Sequence, residues 1–398
     1  MRIVSIEPTP SPNSMKINVD VRLPDGVRHV YTAADAEQAP QPFAALLAIP
    51  GVTELFHTAD FVAVEREPKA DWQSLLSAVR EALGSAKAAE PPVGAADAGR
   101  PLDGANASAP PDATAPGMDA EPAGSFGEAH VFVQTFRGIP LQIRVRSDEQ
   151  EERTAMPQPF IDAAMKAQYG SPNLIAERVL EDRGVRYGDR KEIAEQIRQE
   201  LEASYDAARL EQLVQAALAQ EERPASPVPG HAELVAALQN DDWRVRYAAL
   251  DKLKPEPRTL PLILQALDDG NFSIRRLATV YLGDIREPEV LPYLYRMLRD
   301  QSASVRRTAG DCLSDIGDPD AIGPMCEALR DPSKIVRWRA ARFLYEAGDE
   351  SALAALHAAK DDAEFEIRMQ IQYAVARIEG GEAAAGSVWQ QMTRRNDS

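Results

Sequence analysis

Across 398 residues the chain is 44% apolar and 27% charged, with a formal net charge of −18 at neutral pH, a balance that fits two or three soluble domains with ample core. The acidic excess opposes non-specific nucleic-acid binding, which relies on Lys and Arg neutralising phosphates, and no apolar run approaches the roughly 20 residues of a membrane-spanning helix. Two cysteines, Cys312 and Cys326, cannot build a disulfide framework or a four-cysteine metal site. The amino terminus lacks the apolar core and cleavage site of a signal peptide, so a cytoplasmic protein is expected, with no cofactor and with neither nucleic acid nor membrane among its partners.

Residues 1–83 read as a small α+β domain. Arg2 to Ile6 is a short strand, and Pro8, Pro10 and Pro12 force a loop ending at Asn13-Ser14. Ile17, Val19 and Val21 then alternate with polar residues at the period of a half-buried strand. Arg28 to Thr32 is a further strand, Phe43, Leu46, Leu47 and Ile49 mark a helix, and Val52 to Phe56 with Phe61 to Arg66 form a hairpin. Asp71 caps a helix whose apolar face is Trp72, Leu75, Leu76, Val79 and Leu83. His29 and His57 stand alone in the sequence, so structural roles are expected of both.

Thr9-Pro-Ser-Pro-Asn-Ser-Met-Lys-Ile17 resembles the Thr-Pro-Asn-Pro-Asn-Ser-hydrophobic-Lys-Phe signature of the amino-terminal domain of Nfu-type iron-sulfur scaffold proteins, and Leu47 to Val52, Asp60 to Val64 and Asp71-Trp72 follow the same pattern. That family holds its cluster with a Cys-x-x-Cys in another domain, and this chain has no such pair. The resemblance therefore implies the fold and not the cluster. Asn13, Ser14 and Lys16 are candidates for a docking or anion-contacting loop; the competing reading makes Asn13 and Ser14 turn formers and Lys16 a solvated strand residue.

Residues 84–127 are dominated by Ala, Pro, Gly and Asp and are expected to form a disordered linker, since so few large apolar side chains cannot offset the entropy of ordering. Residues 128–222 begin with a hairpin, Val131 to Phe136 and Leu141 to Arg146 around Arg137-Gly-Ile-Pro140. Helical patterns follow at Pro159 to Gln168, Asn173 to Leu180, Lys191 to Glu202 and Ala207 to Gln220. Two basic groups stand out: Arg144, Arg146 and Arg153, and, in an expected loop, Arg183, Arg186, Tyr187 and Arg190. Each is interspersed with acids, which favours salt-bridged surface over an anion site. No nucleophile elbow, zinc-protease motif or phosphate-cradling glycine loop occurs.

Residues 223–381 carry a repeat. Val245-Arg246, Ile274-Arg275, Val305-Arg306, Val336-Arg337 and Ile367-Arg368 fall in register, their arginines 29, 31, 31 and 31 residues apart. Asp269, Asp300, Asp331 and Asp362 stand six residues before the last four arginines, and Asn240 takes that place in the first copy. A period near thirty with two apolar helical patterns per copy predicts an all-α solenoid of about five HEAT-like repeats. Repetition assigns Arg246, Arg275, Arg306, Arg337 and Arg368, with the four Asp, to a structural ladder. Departures from the repeat at Trp338, Arg339 and Arg342 are the candidate partner-binding residues. Gly-Asp pairs at Gly283, Gly317 and Gly348 mark the expected ends of second helices, and 382–398 a carboxy-terminal cap around Val388, Trp389 and Met392.

An Nfu-like amino terminus, a middle segment containing Phe136-Arg-Gly-Ile-Pro140 and HEAT-like repeats, in that order, together resemble the bacterial conserved virulence factor C proteins. That resemblance implies a link to virulence regulation without an assigned reaction. The reading that follows is a non-enzymatic scaffold binding protein partners through the repeat surface. The alternatives are an accessory role in iron-sulfur assembly or metal trafficking, with iron-sulfur proteins as partners, and a lyase, because Asp-x5-Arg repeats also resemble those of phycobilisome lyases.

Overall fold

A computed structural model describes residues 1–9, 11–24, 27–36, 38–67, 69–84, 127–147, 150–170, 173, 175–225 and 230–381. All but the ends of the expected linker, and the expected cap at Val388, Trp389 and Met392, lie outside the described residues. The chain divides into two compact units, Met1–Ser125 and Phe126–Ser398.

The first unit is an antiparallel sheet of β1 (Ile3–Pro8), β2 (Ser14–Val19), β3 (Arg28–Thr32), β4 (Val52–Thr58) and β5 (Phe61–Arg66) in the order β1-β2-β5-β4-β3, with helices α1 (Phe43–Leu47) and α2 (Trp72–Leu83). The period of two in β2 buries Met15, Ile17 and Val19. Asp71 starts α2 by accepting the Ser74 amide at 2.7 Å, and its buried face is the five residues the helical spacing marked. Gly51 adopts a φ of +92°, and a Cβ there would lie 2.6 Å from that of Ala70, so the turn into β4 requires glycine.

In the second unit, β6 (Glu128–Phe136), β7 (Ile139–Ser147), β8 (Gln150–Ala155) and β9 (Arg178–Tyr187) form an antiparallel sheet in the order β8-β7-β6-β9. Helices α3 (Gln158–Ala167), α4 (Arg190–Ser204) and α5 (Ala207–Leu218) share one core with Ala129, Val131, Val133, Ile143 and Val145, so they cover a single face of the sheet. The helix expected over Asn173 to Leu180 is absent: a turn leads into β9, which pairs with β6 on the side opposite the hairpin. The apolar spacing there imitates a helix, and the partner that makes it a strand lies more than forty residues earlier.

Five helix pairs follow: α6 (His231–Leu238) with α7 (Trp243–Asp251), α8 (Leu260–Ala266) with α9 (Phe272–Ile285), α10 (Leu291–Met297) with α11 (Ala303–Ile316), α12 (Ile322–Ala328) with α13 (Lys334–Ala347), and α14 (Leu353–Ala358) with α15 (Phe365–Glu379). Each pair lays its apolar stripe against the next, and Leu250, Ile274, Leu282, Val305, Leu313, Leu344 and Ile367 are fully enclosed in one continuous core. Gly317 ends α11 with a left-handed φ of +67°, as expected of a helix-terminating glycine. Gly283 differs, because α9 runs on to Ile285. A Cβ at 283 would sit 2.5 Å from Cys312 Sγ, so glycine there permits close packing of consecutive second helices. Among the described residues no helix is long and apolar enough to cross a membrane.

Candidate functional site

The recurring Arg and Asp form rungs between consecutive repeats. Arg246 Nε and Nη2 donate to Asp269 at 2.6 and 2.9 Å, Arg275 to Asp300 at 2.7 and 3.0 Å, Arg306 to Asp331 at 2.6 and 2.8 Å, and Arg337 to Asp362 at 2.7 and 3.2 Å. Every rung is a two-pronged guanidinium-carboxylate contact, the geometry that fixes orientation as well as charge. The third arm of each Arg holds the turn of its own repeat: Arg306 Nη1 donates to the carbonyls of Asp300 and Gln301 at 2.8 and 3.2 Å. Each Asp also accepts the amide two residues on, as Asp331 does from Ser333 at 2.8 Å. For Asp269, burial pushes the carboxyl pKa up, but the Arg246 hydrogen bond and the Asn271 amide outweigh it and hold the group below its usual value. Asn240 keeps the turn by accepting the Asp242 amide at 2.9 Å and carries no charge; among the described residues no earlier repeat supplies an arginine to pair with it. At the other end Arg368 grips the carbonyls of Asp362 and Ala363 at 2.6 and 2.9 Å; among the described residues no Asp of a further repeat meets it.

The residues directly after the ladder arginines form a second stripe, and part of it meets the middle segment. Arg276 approaches Glu200 of α4 at 3.4 Å. Arg307 donates to the Tyr187 hydroxyl of β9 at 2.9 Å, with its guanidinium 4.6 Å from that ring and 5.6 Å from the ring of Trp338. Arg307 and Arg339 both bind Asp311. Arg342 bonds Glu346 one turn along at 2.7 Å. Burial pushes the Tyr187 hydroxyl up, partly opposed by Arg307, and draws Arg186 down to about 10, with Arg276 adding to the effect. The chemistry of this stripe is that of a desolvated arginine-aromatic-carboxylate network.

Trp338, Arg339 and Arg342 are thus gathered in one region, but not as presented hot spots. Trp338 is 2% and Arg342 6% exposed, which corrects the expectation that they lie ready for a partner: helix spacing turns them into the network instead. The second basic group also divides. Arg186 and Tyr187 turn toward the solenoid, whereas Arg183 pairs with Glu181 at 3.0 Å and Arg190 donates to Ser147 at 2.8 Å. Tyr187 and Glu200 were not legible as solenoid contacts, because their partners lie 120 and 76 residues away.

In the first unit the loop at Asn13 is anchored from beneath. Trp72 Nε1 donates to the Pro12 carbonyl at 2.9 Å, and the Arg66 amide donates to the Asn13 carbonyl at 2.9 Å. Asn13 is 7% exposed, Ser14 pairs with Glu65 in the sheet, and Lys16 binds Glu7 at 3.0 Å. The docking-loop expectation is corrected for the buried Asn13, while Ser14 and Lys16 are half-buried strand residues. His29 and His57, isolated in sequence, are cross-strand neighbours in β3 and β4. Among the described residues no group of three or more His, Cys, Asp or Glu is arranged to hold a metal ion. Cys312 is buried, which pushes its thiol pKa well up and makes it an inert core filler.

Three family models match the chain in the order of its parts: scaffold protein Nfu/NifU N terminal over residues 4–89, virulence factor over 134–214, and HEAT repeats over 232–310 and 294–376. Among solved structures, protein SAV1430 from Staphylococcus aureus is 34% identical, covering 21% of this chain and 98% of its own with a TM-score of 0.20. A designed armadillo repeat protein is 16% identical over 54% of this chain and 99% of its own, with a TM-score of 0.28. The Bacillus subtilis (strain 168) protein YpgR is 50% identical over 99% of this chain and 98% of its own length. Conserved virulence factor C of Staphylococcus aureus (strain NCTC 8325 / PS 47) is 44% identical over 99% of this chain and all of its own. With such identity running from end to end, the chain belongs to the conserved virulence factor C family.

Proposed function

We propose that the protein is a non-enzymatic adaptor that binds protein partners through the solenoid, in a role linked to virulence regulation. The observation that supports this reading most directly is the ladder. Four two-pronged rungs join five helix pairs into a single extended body, the kind of rigid, continuous surface on which helical-repeat proteins hold partners. Trp338 and Arg342 being buried, the contact surface is formed by exposed side chains of the first helices and the turns that follow them, among them Arg296 of α10 and Arg299 just beyond it. The test is quantitative affinity purification of the full chain from native cytoplasm against an Arg296→Glu/Arg299→Glu variant of equal stability. The expected result is a partner set recovered with the parent and depleted with the variant; identical recovery from both would refute the assignment of the surface.

A second reading, accessory work in iron-sulfur assembly, is favoured by the family-model match over residues 4–89. Here the amino-terminal unit would bring iron-sulfur proteins to the solenoid as clients, with no cluster of its own. Iron analysis of anaerobically purified protein together with its co-purifying clients tests this: iron tracking the client and not the chain supports it, and absence of iron from both counts against it.

A further inference from the structure

We propose that the face of the β8-β7-β6-β9 sheet opposite its helices binds single-stranded nucleic acid. Strand register sets out this face in rows. Phe132 of β6 lies beside Arg144 of β7, which lies beside Arg153 of β8; His130 lies beside Arg146, which lies beside Glu151; Gln134 lies beside Gln142. Asp182 of β9 closes the Phe132 row on the far side. Because successive side chains alternate between faces, these residues oppose Val131, Val133, Ile143 and Val145, which are buried under the helices.

Two features distinguish this face from an ordinary solvated sheet. Two rings stand two residues apart on a central strand, His130 and Phe132, nearly parallel at 18° with centroids 6.5 Å apart, a spacing at which successive splayed bases can each find a π surface. Beside them, the β7 and β8 positions of these rows carry Arg144, Arg146 and Arg153 against the one carboxylate of Glu151. Arg144 and Arg153 face each other directly across β7 and β8, an arrangement that costs stability in a sheet. The Arg144 Nε donates to the neutral Gln142 at 3.1 Å, while Arg146 and Arg153 share the single carboxylate of Glu151. Their side chains remain 51% and 59% exposed, and the Arg146 guanidinium lies 5.6 Å from the Phe132 ring.

The distribution gives the bound strand a polarity across the sheet. Phosphates lie over Arg144, Arg146 and Arg153 on the β7-β8 side, bases stack on Phe132 and His130, and Gln134 and Gln142 offer paired donors and acceptors to base edges. Asp182 and the acidic remainder of a chain of net charge −18 confine the contact to a few nucleotides and oppose duplexes, whose bases cannot reach the rings. An acidic peptide would satisfy the arginines but has no use for the rings, which is why a nucleic-acid strand is the better match.

The test is fluorescence anisotropy of the full-length protein with labelled single strands of about 12 nucleotides, a length within the span of known sheet platforms, as RNA and as DNA in separate arms. Saturable binding in low salt is expected, weakened about fivefold or more by Phe132→Leu, which keeps an apolar side chain and removes the stacking surface. Arg144→Glu/Arg153→Glu should weaken binding further and lower the slope of log affinity against log salt by about 1.4, the value for two lost phosphate contacts on a single strand. Tighter binding of the RNA arm would identify the 2′-hydroxyl as a recognised group. No saturable binding to either strand, Phe132→Leu binding like the parent, or equal competition by a duplex or a polyglutamate peptide would each overturn the proposal. Unchanged thermal melting of both variants establishes that a loss is not unfolding.

Discussion

Arg306 and Asp331 meet across the boundary between two repeats through a pair of hydrogen bonds of 2.6 and 2.8 Å, with their side chains only 11% and 7% exposed. Removing the acid leaves a guanidinium with two donors unpaired in a partly desolvated place. Asp331→Ala should therefore lower unfolding stability by about 3 kcal/mol, the range seen when one member of a buried pair is lost. Arg368→Ala removes bonds to two carbonyls of its own turn and a guanidinium 5.8 Å from the Phe365 ring, but no rung among the described residues, and should cost about 1 kcal/mol. Denaturant midpoints of the two variants compare them directly, and equal losses would show that the rungs add nothing beyond the turn they hold.

The Tyr187 hydroxyl is the acceptor for a buried Arg307 Nη2 that comes from another part of the chain. Tyr187→Phe preserves the ring beneath the guanidinium and deletes that acceptor, so the expected cost is about 1–2 kcal/mol. A double-mutant cycle with Arg307→Met should give a coupling of about 1 kcal/mol, and amide exchange should rise in both β9 and α11. Faster exchange confined to β9 would mean that the middle segment and the solenoid open independently.

The solenoid was legible in the sequence because its signal repeats: a single Val-Arg or Ile-Arg pair means little, whereas five in register, four of them with Asp six residues earlier, establish a period. What the period could not supply is the exposure of residues that depart from it. Trp338 and Arg342 look like surface features in a one-dimensional alignment, yet Arg307, Arg339 and Glu346 enclose them in a network. The same limit explains β9. Val179, Leu180 and Val185 become strand residues only through β6, and no local pattern in 173–187 records that pairing. His29 and His57 are 28 positions apart in number and directly opposite in space, a relation that strand register alone creates.

The anchoring of the proline-rich loop makes a separate prediction in the amino-terminal unit. Trp72 is fully buried, its Nε1 donates to the Pro12 carbonyl, and the Arg66 guanidinium lies 5.0 Å from its ring. Trp72→Phe keeps an aromatic surface for Arg66 but leaves the carbonyl without its donor and opens a small void. A loss of about 2 kcal/mol is expected, accompanied by faster exchange at Asn13 and Ser14. If those amides are unaffected, the tryptophan supports the core without ordering the loop.

His57 gives that unit a pH dependence of definite sign. Its ring is buried beside Phe43, at a centroid distance of 5.0 Å, and faces His29 across the strand pair. Burial, with the nearby His29 adding repulsion, lowers its pKa below the ordinary 6.5. Below that ordinary value the unfolded chain takes up a proton that the folded one refuses, so the unfolded state is the one that gains. The stability contributed by the neutral imidazole is therefore complete above about pH 6.5, declines as the pH falls from there, and is lost once the folded pKa has been passed. His57→Leu removes the titrating group while keeping an apolar side chain under Phe43, and should flatten this part of the stability curve for the amino-terminal unit. His29→Gln removes that repulsion, so the folded pKa of His57 should rise toward its ordinary value and the window over which stability falls should narrow. Equilibrium unfolding measured between pH 5 and 8, a range set by the ordinary histidine pKa, distinguishes these outcomes, and a parent curve that is flat through this range would refute the assignment of His57 as the titrating group.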